Sequence, residues 1–246
     1  DGVSARSGLR LRCASRWGHG ELDLQHALMK SCNPYFCNLA TEIGTNALLR
    51  TARAFGLGAK TGLDLGVDMA GVVPDADWKA RQYHERWFFG DLVQMSIGQG
   101  MLLVSPLQMA RVAGALGTGY LVTPRLRADA PTERQKLPFR EADLRVVREG
   151  MRMVVAGDGV SRGTGWRGGL DVPVPVSGKT GTAEVGVGAR RRKNTWFIAY
   201  APSDAPRIAV AMVVENGESG GGTTAPKVAE VLKRFFADEA VGGVSS

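Results

Sequence analysis

Apolar residues recur at helical spacing near the start of the chain. The segment 21–31 places four apolar residues on one face, which predicts a short amphipathic helix. Asn33 followed by Pro34 is a helix start signal, an N-cap residue before a proline at the first helical position. The second helix is expected to reach about Phe55, where two glycines can end it. The turn at Ser31-Cys32-Asn33 therefore falls between two helices, where side chains can project into a cleft.

The middle of the chain alternates irregular stretches with two further helices. Residues 59–104 are rich in glycine and turn signals and are expected to be mainly loop with short elements. Residues 105–108 form a capping box that predicts a helix start, and Gly117 is a plausible end. A basic, irregular stretch at 124–140 precedes a third amphipathic helix at about 141–155.

The pattern changes from helical to extended after about residue 170. The segments 172–185, 195–201 and 208–214 are strand-like, and a short turn-rich connection makes the last two a predicted antiparallel hairpin. Residues 224–236 carry one apolar helical stripe, which predicts a helix packed across one sheet face. We therefore expect an α+β fold, mainly helical over about 1–170, with the strands and the C-terminal helix over about 171–238.

Composition and charge restrict the classes of partner and cofactor. The chain has 31 Lys and Arg against 24 Asp and Glu, a net charge of +7, which is compatible with nucleic acid, anionic lipid or an acidic polymer. It shows no nucleic-acid-binding motif, so no such partner is expected. The basic run 190–193 is predicted to be a solvated hairpin loop, with lipid head groups or an acidic glycan as the alternative contact.

Cysteine and histidine are few, and no stretch approaches the ~20 apolar residues of a membrane span. Three cysteines do not make a disulfide framework, and none pairs with a histidine at metal-ligand spacing, so neither a metal nor a cofactor is expected. The residues concerned are Cys13, Cys32, Cys37, His19, His26 and His84.

The most specific chemical signal is Lys179-Thr180-Gly181-Thr182. A phosphate-binding loop would need glycine five residues before Gly178, where Pro173 stands, and would open a helix instead of lying in a strand. The alternative is an active site along a sheet edge, where Gly181 lets a substrate strand approach the backbone. A lysine and hydroxyl groups beside it can hold a carboxylate, and an outward N–H can stabilise an oxyanion. Lys-Thr-Gly belongs with Ser-x-x-Lys and Ser-x-Asn in serine β-lactamases and penicillin-binding proteins.

Ser31-Cys32-Asn33 matches the Ser-x-Asn motif and precedes Lys-Thr-Gly in the chain, as that order requires. Helix capping alone would also explain Asn33 before Pro34. Two motifs in the right order favour the catalytic interpretation. Two shorter features, Gly98-Gln99-Gly100 and His19 between two glycines, are explained by tight turns.

The chain resembles class B penicillin-binding proteins, and more closely their elongation branch than their division branch. The similarity runs from about Arg12 to Phe236. It is carried by the segments 18–24 (GHGELDL), 31–40 (SCNPYFCNLA), 87–91 (WFFGD), 96–110 (SIGQGMLLVSPLQMA), 179–184 (KTGTAE) and 195–202 (TWFIAYAP).

The resemblance implies a serine β-lactamase/D,D-peptidase-like fold and a D,D-transpeptidase that cross-links peptidoglycan stem peptides ending in D-Ala-D-Ala. It implies that Ser31 relays a proton and that Asn33 binds the substrate and orients the base. Lys179 would shape the local electrostatics. Thr180 and Thr182 would receive the substrate carboxylate beside Gly181, and the Thr182 N–H would be an oxyanion-hole donor. β-Lactams as inhibitors, a partner glycosyltransferase of the SEDS type, and an inner-membrane protein with this domain in the periplasm are implied in the same way.

The sequence departs from the family pattern at one point, because none of the 246 residues completes a Ser-x-x-Lys motif. We therefore expect the chain to be the C-terminal part of the transpeptidase domain, without the nucleophile helix and the early strands. Such a chain is expected to be inactive alone, since acyl transfer needs an attacking serine. A β-lactam-hydrolysing or β-lactam-sensing relative, a carboxypeptidase and a non-catalytic scaffold remain alternatives.

Overall fold

The computed structural model describes Ser15 and residues 17–63, 67–186, 188 and 191–242, with side chains as far as Asp238. Cys13 and Arg190 lie outside the described residues. Within them the order of elements is helical first and extended last, and the α+β prediction is confirmed. The helices are α1 (Leu24–Lys30), α2 (Asn33–Ala54), α3 (Ala76–Tyr83), α4 (Phe89–Ser96), α5 (Pro106–Thr118), α6 (Glu141–Ala156) and α7 (Ala225–Gly242).

Local capping signals explain where several helices begin. The Asp23 side chain accepts the His26 N–H at 2.8 Å and caps α1. At the start of α5, the Ser105 hydroxyl accepts the Gln108 N–H while the Gln108 side chain accepts the Ser105 N–H, so the predicted capping box is confirmed. The helix α2 contains a kink at Gly44, whose φ of 75° is not helical, and the sequence pattern gave no sign of it.

The end of α5 differs from the prediction. Gly117 lies inside the helix, which ends instead at Gly119 with a φ of 81°. A Cβ at position 117 would lie 2.9 Å from the Pro206 ring and 3.0 Å from the Tyr200 ring. Gly117 is therefore explained by close packing of α5 against the sheet, whereas Gly119 is explained by the left-handed turn that ends the helix.

Two antiparallel sheets are described. The strands β1 (Tyr120–Val122) and β2 (Arg134–Lys136) form a small ladder, within and beside the stretch that was expected to be irregular. The main sheet has the order β3-β4-β5 and consists of β3 (Ser177–Val185), β4 (Arg192–Ala201) and β5 (Ile208–Glu215). The predicted hairpin is confirmed as the β4–β5 pair.

Two details of the extended part were predicted wrongly. Residues 172–176 precede the strand and do not belong to it, since β3 begins at Ser177. Arg192 and Lys193 lie in β4, where they pair with Val185 and Glu184, so the basic run is not simply a loop. Strand pairing uses backbone N–H and C=O groups, so β3 and β4 can pair beyond the apolar part of each strand.

The main sheet is covered on both faces. Phe197, fully buried, points from β4 toward α7, where it joins a core cluster that includes Val228 and Leu232. Tyr200, three residues further along the strand, points to the opposite face, which packs against α5. The helix α6 packs against both α1 and β3, and so connects the helical part to the first strand of the sheet. None of the described helices combines the length and apolarity that a bilayer span requires.

Candidate active site

The turn between α1 and α2 displays Ser31 in a backbone conformation that is unusual for serine. Ser31 ends α1 with φ 53° and ψ 52°, in the left-handed region. Its N–H donates to the Leu28 carbonyl at 3.1 Å, and the next N–H, of Cys32, donates to the Ala27 carbonyl at 3.0 Å. A residue with a Cβ adopts this conformation at a cost of about 1–2 kcal/mol, which glycine avoids. The presence of serine here points to a use for its side chain.

The predicted capping role of Asn33 is wrong. Cys32 is the N-cap of α2, Asn33 is the first helical residue, and among the described residues no side chain caps this end. The physical reason is Pro34, which occupies the second helical position and has no N–H for a cap to bind. Capping therefore no longer explains Asn33, whose side chain is partly accessible at the same turn as Ser31.

The two motifs meet through Lys179. Its Nζ donates to the Ser31 Oγ at 2.8 Å, across 148 residues of sequence, and to the carbonyl of Thr180 at 2.8 Å. Burial lowers the pKa of Lys179 to about 8, from its ordinary value of 10.5. A lysine with such a pKa retains its charge at neutral pH yet gives up a proton more easily than a solvated lysine.

The outer edge of β3 carries the backbone groups that face away from β4. The Thr182 carbonyl accepts a hydrogen bond from the Gln99 side chain at 3.2 Å, so it points outward from the sheet. In an antiparallel ladder the N–H and C=O of one residue point to the same side, and alternate residues point to opposite sides. The N–H groups of Thr180 and Thr182 are therefore outward, and those of Lys179 and Gly181 point toward β4.

The two threonine hydroxyls of the motif have different partners. The Thr182 Oγ1 accepts the Gly220 N–H at 3.3 Å, which leaves its own proton able to donate to a ligand. The Thr180 hydroxyl instead donates to the Thr164 Oγ1 at 3.1 Å. The Thr164 hydroxyl in turn donates to the Met29 carbonyl at 3.1 Å, two residues before Ser31.

Thr164 links the two motifs, and sequence reasoning missed it. It lies between Gly163 and Gly165, in the loop that follows α6. A Cβ at Gly163 would lie 2.1 Å from the Val154 carbonyl oxygen, so glycine is required for the loop to pack this closely. The only signal was the glycine on each side of a threonine, a pattern that also suits any tight turn.

The structure explains Gly181 by packing within the protein. A Cβ on Gly181 would lie 3.2 Å from the Trp196 Cβ on the neighbouring strand. On Gly220 a Cβ would lie 2.6 Å from the Gly181 carbonyl oxygen. Two glycines thus allow the segment before α7 to lie on the sheet at this point. The suggestion that Gly181 also admits a substrate strand stays a prediction.

Behind Ser31 lies a cluster of charged and polar side chains. The Nζ of Lys30 donates to the Ser161 hydroxyl, and Asp158 accepts the Ser161 N–H at 2.6 Å. Burial, and then the charge of Lys30, lower the pKa of His19. The glycines on both sides of His19 have positive φ, a conformation that glycine adopts without strain, and a turn precedes them, where the Gly18 N–H donates to the Ser15 carbonyl. Among the described residues, no group of His, Cys, Asp and Glu side chains could hold a metal ion.

Comparison with known proteins shows the family of the chain. Residues 5–233 match the family model described as the penicillin-binding protein transpeptidase domain. The chain is 30% identical over 258 residues to the peptidoglycan D,D-transpeptidase MrdA of Haemophilus influenzae, covering 95% of this chain and 39% of that protein. It is 32% identical over 237 residues to MrdA of Acinetobacter baumannii, covering 86% of this chain and 34% of that protein.

Solved structures agree with the sequence relatives. The chain superimposes on a penicillin-binding protein (PBP2) from Helicobacter pylori with a TM-score of 0.84 and 30% identity, covering 94% of this chain and 42% of that one. For PBP2 of Pseudomonas aeruginosa, in complex with WCK 5153, the TM-score is 0.82 and the identity 31%, covering 94% and 51%. The predicted β-lactamase/D,D-peptidase-like fold is confirmed. The chain spans about two fifths of the length of the curated relatives it matches.

Proposed function

The chain belongs to the penicillin-binding protein transpeptidase family, and from this premise we propose that it acts as the C-terminal part of a peptidoglycan D,D-transpeptidase domain of the elongation type. The observation that carries the proposal is the 2.8 Å hydrogen bond from Lys179 Nζ to Ser31 Oγ. It joins two motifs that are far apart in sequence and that have a joint use only in acyl transfer to and from a serine.

In the proposed reaction, a serine outside these residues attacks the carbonyl between the two terminal D-alanines of a stem peptide. D-Alanine leaves, and an amine of a neighbouring stem then takes the acyl group from the serine. The proton that the attacking hydroxyl loses to the lysine machinery passes to Ser31 as Ser31 gives its own proton to the leaving amine, and Lys179 stabilises the Ser31 oxygen during this relay. The lowered pKa of Lys179, about 8, suits a group that takes part in such proton transfer near neutral pH.

The substrate carboxylate and the oxyanion are assigned to the outer edge of β3. The Thr182 hydroxyl is the better hydrogen-bond donor to the substrate carboxylate, because its proton is available, whereas the Thr180 hydroxyl donates its proton to Thr164. The outward N–H of Thr182 is one donor to the oxyanion of the tetrahedral intermediate. Asn33 is assigned to hydrogen-bond the substrate's amide region and to orient the general base, since it has no capping role at α2.

The remaining parts of the proposal concern the whole protein. Because none of the 246 residues completes a Ser-x-x-Lys motif, we propose that the nucleophile is supplied from elsewhere and that these residues alone are inactive in acyl transfer. β-Lactams would acylate the same serine. From the resemblance to class B penicillin-binding proteins we also propose an inner-membrane protein with this domain in the periplasm, working with a SEDS-type glycosyltransferase.

The test is an assay of the full-length protein with a lipid-linked or polymeric peptidoglycan substrate. Release of D-alanine together with new cross-links between stem peptides is the expected result. Release of D-alanine without cross-links would indicate a carboxypeptidase instead, and continued turnover of penicillin would indicate a β-lactam hydrolase. A protein that does none of these would be a scaffold. The variants Ser31→Ala and Lys179→Met are expected to lose D-alanine release, whereas Gln94→Ala, an exposed residue of α4, is the matched control.

A further inference from the structure

The outer edge of β3 is already occupied at two of its backbone acceptors. The side-chain amide of Gln99 donates to the Thr182 carbonyl at 3.2 Å. This contact joins residues 83 apart in sequence, so it depends on the fold and not on local geometry. The next outward carbonyl along the edge, that of Thr180, accepts from Lys179 Nζ. A strand that pairs with β3 would need these carbonyls for its own N–H groups.

The backbone around Gln99 is held by two hydrogen bonds, whereas one hydrogen bond, to the Thr182 carbonyl, is described for its side chain. The Gln99 N–H donates to the Gln94 carbonyl at 2.9 Å, and the Gly98 N–H donates to the Met95 carbonyl at 3.0 Å. Gly98 and Gly100 have φ values of 74° and 73°, which form the turn that directs Gln99 toward the sheet. The amide reaches β3 through a flexible, partly accessible side chain, so a rotation about its side-chain bonds can release Thr182 while the backbone stays fixed.

The helix that carries this turn is fixed at its other end. Lys79, which is buried, donates to Asp91 at 2.7 Å, and the same carboxylate accepts the Phe88 N–H at 2.7 Å at the start of α4. A cavity of about 340 Å³, lined by Lys79, Asp91 and Gly100, lies on the side of α4 where this ion pair sits. The Lys79–Asp91 ion pair thus anchors the start of α4, so that a movement of the Gln99 side chain is sufficient to release the Thr182 carbonyl.

We propose that Gln99 gates the substrate edge of β3: its side-chain amide occupies, on the Thr182 carbonyl, the position that an N–H of the incoming peptide takes. This inference rests on the proposed function and adds a residue that determines specificity. A ligand with an amide N–H at that position replaces the Gln99 hydrogen bond with its own. A ligand without that N–H leaves Gln99 where it is and gains nothing when the gate is removed.

The test compares acylation rates of the full-length protein by two kinds of β-lactam. One is a fluorescent penicillin, whose acylamino side chain has an N–H, and the other is a carbapenem, whose hydroxyethyl side chain has no amide N–H. Gln99→Ala removes the gate, and Gln99→Met removes only the donor while it keeps the length of the side chain. Gln94→Ala, an exposed glutamine of α4 that lies five residues before Gln99, is the matched control.

We expect both Gln99 variants to accelerate acylation by the penicillin about two- to tenfold. This factor corresponds to the free energy of the one hydrogen bond, from Gln99 to Thr182, that the ligand no longer has to displace. The gain is expected in the dissociation constant of the precovalent complex and not in the rate of the chemical step. Acylation by the carbapenem is expected to stay unchanged. A role of Gln99 in holding the active site together would instead lower the chemical rate for both compounds.

Unchanged or slower acylation by the penicillin in both Gln99 variants would overturn the gate while leaving the proposed function intact. An equal gain for both compounds would also overturn it, because the gate distinguishes them by the N–H. If the unmodified protein is labelled by neither compound, the proposed function itself fails, and the gate fails with it.

Discussion

Replacing Ser31 by glycine and by alanine separates the strain at this residue from the use of its hydroxyl. Both variants remove the acceptor for Lys179 Nζ, so both are expected to lose acylation by penicillin. They differ in the Cβ, which alanine keeps in the left-handed conformation of φ 53° and glycine removes. The difference in stability between the two variants therefore reports the backbone strain at residue 31, reduced by the extra freedom that glycine gives the unfolded chain.

The magnitude follows from two opposing effects. Removing the Cβ relieves about 1–2 kcal/mol of left-handed strain. Glycine also gives the unfolded chain more freedom, which lowers stability by about 0.4–1 kcal/mol. The glycine variant is therefore expected to be more stable than the alanine variant by roughly 0.5–1 kcal/mol, or about 1–4 °C in melting temperature. Strain of this size persists at a functional site when the surrounding structure holds the residue in place.

The assay is thermal unfolding of the full-length protein, with two control positions. His84 ends α3 in the same conformation, with φ 58°, so His84→Gly is expected to be stabilising by a similar amount and to keep acylation. Gly119→Ala places a Cβ at φ 81° with no neighbour closer than 3.7 Å. It should therefore lower the free energy of unfolding by the strain that a Cβ causes in the left-handed conformation. If Ser31→Gly is no more stable than Ser31→Ala while both controls respond, the argument from strain is wrong.

Two further substitutions test the connection between the motifs. With its pKa lowered from 10.5 to about 8, Lys179 binds fewer protons in the folded than in the unfolded state between these pH values, so stability should rise with pH across that window. Over this pH window the free energy of unfolding should rise by at most about 3 kcal/mol. Lys179→Met should remove the rise, measured by urea unfolding from pH 7 to 10.5, and should abolish acylation. A rise that persists in the variant would mean that another group causes it. Thr164→Val breaks the hydrogen-bonded bridge between Thr180 and Met29. It should slow acylation about tenfold, which corresponds to one hydrogen bond of ~1.4 kcal/mol, whereas Thr164→Ser should keep the original rate. Equal rates in the two variants would show that the bridge does not contribute to acylation.

Local chemistry made several elements predictable from sequence. The capping box at Ser105 and Gln108 involves residues three apart, so it forms wherever the chain turns into a helix there. The strands β4 and β5 were recognisable because a short turn joins two apolar runs. Lys179 and Ser31 were found as motifs, and the fold then brought their side chains into contact.

Contacts between distant parts of the chain explain most of the misses, and a one-residue error in a helix start explains the other. Gly117 was predicted to end a helix because the sequence does not show that this glycine packs against Tyr200 and Pro206. Asn33 was predicted to be the N-cap because Pro34 was placed at the first helical position, whereas it occupies the second. The contacts of Thr164 and Gln99 with β3 join residues 16 and 83 positions apart, and only the folded chain defines them.

The central claim is that these residues form the substrate-binding and proton-transferring part of a transpeptidase site whose nucleophile lies outside them. The most direct measurement maps the penicillin adduct by mass spectrometry, in the full-length protein and in the 246-residue chain. We expect one stoichiometric adduct in the full-length protein, on the serine of a Ser-x-x-Lys motif outside these residues, and no adduct on the 246-residue chain. An adduct on Ser31, or on any other serine of this chain, would contradict it.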